Sequence, residues 1–135
     1  RADESFLVRG GFTSEGLLAR CVVDDSLVED QLDELSDVLR GSTLGGAYPQ
    51  MTAAFVYTLL TTRGLSAGWH FHLAELGALT AGAWGLPPTA IPSLAECARL
   101  WEVELSDTTT ANGSAETAAR CFAKLIEAST LNNLR

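Results

Sequence analysis

The chain has 135 residues, 47% of them apolar and 19% charged, with 17 acidic against 9 basic side chains and a net charge of −8. That balance is globular rather than disordered and fits one domain, which at this length buries about two thirds of its unfolded surface. It offers nothing to a phosphate backbone or an anionic membrane surface, so neither nucleic acid nor a membrane is expected as a partner.

The charge is uneven. Residues 1–40 carry ten acids against four bases, residues 96–135 carry six against four, and between 41 and 95 only Arg63 and Glu75 are charged. Such a block is expected to form the folded core, wrapped by its polar flanks. Its longest apolar run, 51–60, is ten residues, against about 20 for a bilayer-spanning helix. No membrane span is expected.

In chain order, residues 1–12 read as an N-terminal arm, with Phe6-Leu7-Val8 apolar enough to dock before Gly10-Gly11. Residues 13–135 read as one helical-bundle domain. A first helix is expected over 14–23, and a second over 26–39, where Ser26 and Glu29 have capping-box spacing. Val28, Leu32, Leu35 and Leu39 form its apolar stripe, Asp30, Asp33, Glu34 and Asp37 its acidic face, and Gly41 its stop. Pro49 suits the first turn of a third helix ending at Gly64. Ser66 is expected to cap a fourth, over 66–84, before Gly85 and Pro87-Pro88. Within it Ala74, Ala78 and Gly82 fall four residues apart, a smooth stripe on which a neighbour can pack closely. Ser93 and Glu96 form a second capping box, opening a helix that presents Leu94, Ala98, Trp101 and Leu105. After a polar loop, 107–113, a last helix carries Ala118, Cys121, Phe122, Leu125 and Ile126 on one side. No strand is expected. The fold class is all-α, a single-domain bundle of five or six helices with two apolar central helices, the third and fourth.

The chemistry-bearing cluster is 69–75, Trp-His-Phe-His-Leu-Ala-Glu. On a helix His70 and His72 point about 160° apart, whereas ligand pairs there need three- or four-residue spacing. No metal or cofactor is expected. His72 and Glu75 do share a helical face, and a carboxylate beside an imidazole raises and orients a general base. They are the candidate catalytic pair. The aromatic set Tyr57, Trp69, Phe71, Trp84 and Trp101, joined by His72 and Leu76, is the candidate lining for a flat apolar ligand. No P-loop, dinucleotide fingerprint or Ser-His-Asp order is present.

Cys21, Cys97 and Cys121 show no CxxC spacing and read as reduced thiols, which with the lack of a visible signal peptide points to the cytoplasm. The leading functional expectation is a small binding module that uses its apolar centre for a hydrophobic ligand or for self-association as a homodimer. Two alternatives stand beside it: a small enzyme or cyclase-like protein using His72 and Glu75 on an apolar substrate, and an acidic adaptor that docks a basic protein on helix 26–39.

Overall fold

The computed structural model describes residues 24–132, with side chains through residue 130. The expected arm at 1–12, the helix at 14–23 and Cys21 lie outside the described residues. Within them the chain is mostly helical and the all-α class holds: α1 is Asp25–Leu39, α2 Pro49–Thr61, α3 Leu76–Trp84, α4 Leu94–Leu100 and α5 Ala111–Asn132. No helix among the described residues is long and apolar enough to cross a membrane.

α1 begins one residue before the expected start, on a different cap. Asp24 is the N-cap, and its Oδ1 accepts from the Ser26 amide at 3.0 Å and from the Ser26 hydroxyl at 2.6 Å. Ser26 therefore lies inside the first turn, and the expected Ser26–Glu29 box does not form. A carboxylate two residues before Ser26 is a stronger acceptor than a hydroxyl, and its charge suits the positive end of the helix. Leu32 is buried, with Val28, Leu35 and Leu39 half-buried beside it, while the acidic face is exposed. Ser36, which breaks that stripe, is buried and donates to the Ser66 carbonyl at 2.9 Å.

The absence of strands is a second correction. Gly45–Gly46 (β1) and Ala74–Glu75 (β2) pair in parallel, with Gly45 opposite Ala74 and Gly46 opposite Glu75. Backbone bonds run ahead of the pairing: Gly41 N–H donates to Gly68 at 2.8 Å, His70 N–H to Ser42 at 2.7 Å and Ala74 N–H to Leu44 at 3.0 Å. Parallel strands need a crossover between them, and α2 supplies it. The expected helix over 66–84 thus shrinks to Leu76–Trp84, because 66–75 spends its backbone groups on the 41–46 segment. Ala74 lies in β2 instead of heading a helical stripe, and nothing packs within 4 Å of where a Gly82 side chain would begin.

The core lies C-terminal to the expected centre. Leu76, Cys97, Ala98, Ala118 and Cys121 form the buried cluster, with Leu94, Trp101, Val103 and Phe122 packed against it. It joins α3, α4 and α5. Full burial of Leu76 contributes about 1.5–3 kcal/mol. The Ser93–Glu96 capping box does form and starts α4. Polar pins complete the core. Trp101 Nε1 donates to the buried Thr80 hydroxyl at 3.0 Å, and Thr117 Oγ1 accepts from Ser106 N–H at 3.1 Å while donating to Gly113 at 2.9 Å. α2, expected at the centre, buries only Pro49 and Leu60.

Candidate functional site

The residues singled out from the sequence fall into separate places. In the irregular segment before β2 the His70 ring stacks with those of Phe71 and His72, which are tilted to each other; the ring centroids lie 3.9–5.3 Å apart, and all three residues are exposed. The two imidazoles therefore lie side by side, against the helical geometry expected of them. His70 Nδ1 accepts from the His72 amide at 3.2 Å. Among the described residues no three metal-ligating side chains converge.

Glu75 ends β2 and is the N-cap of α3. Its two carboxylate oxygens accept from Gly77 N–H at 3.0 Å and Ala78 N–H at 2.5 Å. The carboxylate is thus committed to orphan amides at the positive end of a helix. Among the described residues no hydrogen bond joins it to His72.

The aromatic set divides likewise. Trp84 and Trp101 meet edge to face at 5.8 Å, Trp69 is half-buried, and Tyr57 is exposed on α2. Leu76 is fully buried in the core. These residues do not converge on one pocket.

A different concavity does. A groove of about 810 Å³ runs between α5 and the 43–52 segment. α5 supplies one wall with Ala111, Ser114, Ala115, Ala118, Ala119, Phe122 and Ile126, which recur at helical spacing beside the buried Thr117 and Cys121. The other wall is Thr43, Gly45–Gly46, Tyr48 and Met51, with Ala74 and Leu94 also lining the groove. Gly45 and Phe122 approach closely across the groove: a Cβ on Gly45 would fall 3.1 Å from the Phe122 ring, which would have to give by a few tenths of an ångström. No lining residue carries a formal charge. The Thr43 and Tyr48 hydroxyls make no bond to another described residue, so a ligand hydroxyl can meet them.

Sequence reasoning missed this groove because half of its lining residues are alanine and glycine, which carry no chemical signature. The available signal was the recurrence of small residues at 111, 115 and 119 on a helix, together with Gly45-Gly46. A smaller cavity of about 230 Å³ lies by the α3 N-terminus, lined by Glu75, Gly77, Ile91 and Cys97 among others; there the Glu75 carboxylate is already used as a cap. No family model, curated protein or solved structure matches the chain.

Proposed function

We propose that this protein is a non-catalytic binding module that holds an uncharged apolar molecule in the groove between α5 and the 43–52 segment. The observation that carries the reading is the lining: a groove of about 810 Å³ with mostly apolar walls and without one charged side chain, in a chain of net charge −8. Ligand sites are typically concave and mostly apolar, with a few polar groups that fix orientation. A carboxylate or phosphate buried in this groove would find no cation, which is costly; a neutral chain or ring system with a hydroxyl would not meet that cost.

Nile red, an uncharged dye whose emission rises in apolar surroundings, tests the site. Ala119→Trp places a large side chain in the groove from an exposed helix position, so the fold should persist while dye affinity falls by about tenfold or more, the equivalent of roughly 1.4 kcal/mol. Unchanged affinity in this variant, at unchanged helicity, rejects the site. Two further parts belong to the same proposal. The free, buried thiols of Cys97 and Cys121 support residence in the reducing cytoplasm. The extent of exposed apolar surface supports a homodimer.

A further inference from the structure

The crossover helix α2 has two apolar faces, and only one is used. Pro49 and Leu60 are buried, with Ala53 and Val56 half-buried between them, which is the inner stripe. On another side Met51, Phe55 and Leu59 recur every four residues and are 60%, 72% and 44% exposed, with Tyr48 just before the helix at 66%. Residues at this spacing share one helix face. No residue of α2 is charged.

The geometry points to a second copy of this chain as the cover of this face, docked so that it also roofs the ligand groove. Three observations select that occupant. An uncharged helix offers a charged partner no complementary group, while two identical uncharged faces meet without placing the acidic surface of one copy on that of the other. The four exposed side chains leave roughly 500 Å² uncovered per copy, already at the upper range for a monomer's largest patch, and the adjoining groove rim brings the total toward the about 800 Å² per partner of a stable interface. The face is also continuous with the groove, because Tyr48 and Met51 belong to both.

A two-fold axis near Phe55 pairs the helices antiparallel and sets Met51 against Leu59 of the partner subunit. The groove, open to solvent in one copy, is then closed along its Tyr48–Met51 wall by the other. This part rests on the groove being the binding site. The interface does not.

The test uses the full chain. Light scattering at micromolar concentration should give twice 14.3 kDa, undiminished in high salt because the interface holds no charge pair. Phe55→Glu should give the monomer mass with unchanged helicity. It should also weaken Nile red binding by about tenfold, although Phe55 does not line the groove. Leu59→Lys serves if that variant fails to fold. A wild-type monomer overturns the proposal; if deletion of residues 1–23 then exposes new apolar surface, those residues are the cover instead. A dimer that persists in both variants overturns the placement on α2. Monomeric variants that bind Nile red as tightly as wild type overturn the roof alone. A dimer that never binds the dye overturns the groove reading and leaves the interface standing.

Discussion

Cys97 and Cys121 have no solvent exposure, and burial pushes both thiols up from the ordinary value of 9.0. Glu75 and Glu96 act in the same direction on Cys97, while a hydrogen bond with Thr80 opposes them. The consequence for stability has a definite sign. The folded state holds the protonated thiols, and the unfolded chain releases those protons at about 9. The stabilisation is therefore complete below that pH and is lost as pH rises from there toward the folded value. Melting temperature should fall more steeply above pH 9 in wild type than in Cys97→Ala, once each is normalised to its value at pH 7. Parallel profiles would show that the thiol is not the group responsible. Glu96 and Asp24 behave oppositely. Hydrogen bonds from Ser93 and Ser26 hold these carboxylates below the usual range, so their capping contribution is present at neutral pH and is lost only in acid.

Among the elements, α3 depends on an approach that only glycine permits. A Cβ at Gly77 would fall 2.5 Å from the Pro92 carbonyl oxygen and 2.8 Å from Ile91 Cγ2. Gly77→Ala must push the 91–92 segment off the start of α3, at a cost of about 1–3 kcal/mol, read as a lower urea midpoint at unchanged slope. An unchanged midpoint would mean that the segment gives way freely. The same stretch shows how far the sequence was legible. The Ser93–Glu96 box, the Pro49 start and the α1 stripe were readable because each rests on residues within one or two turns of one another. The pairing of 41–46 with 68–75 was not, since its partners are some 27 to 30 residues apart and β1 is two glycines with no alternating pattern. Missing that pairing turned 66–75 into a helix. With it went the opposed imidazoles and the His72–Glu75 pair, both of which followed from helical spacing; the aromatic set separates because Tyr57, Trp84 and Trp101 sit on three different helices or their ends. Asp24 shows the local version of the error: a Ser-x-x-Glu match drew attention from a better acceptor two residues earlier.

Across the molecule, the charge-poor block of residues 41–95 does two jobs. Its C-terminal part, from Leu76, joins α4 and α5 in the core. Its N-terminal part, from Thr43 through α2, stays largely at the surface and supplies one wall of the groove and the open helix face. In the proposed function this groove, and not the 69–75 cluster or the Trp84–Trp101 pair, takes an uncharged apolar ligand. The most direct measurement is a chemical-shift titration of the isotopically labelled full chain with decan-1-ol and, in parallel, with decanoate. Decan-1-ol should give saturable shifts clustered at Thr43, Tyr48, Met51, Ala115, Ala119 and Phe122. The same residues should respond at least about tenfold more weakly to decanoate, because the groove has no cation for it. Shifts centred on His70–His72 or Trp84–Trp101, or equal affinity for the acid and the alcohol, would contradict the proposed function.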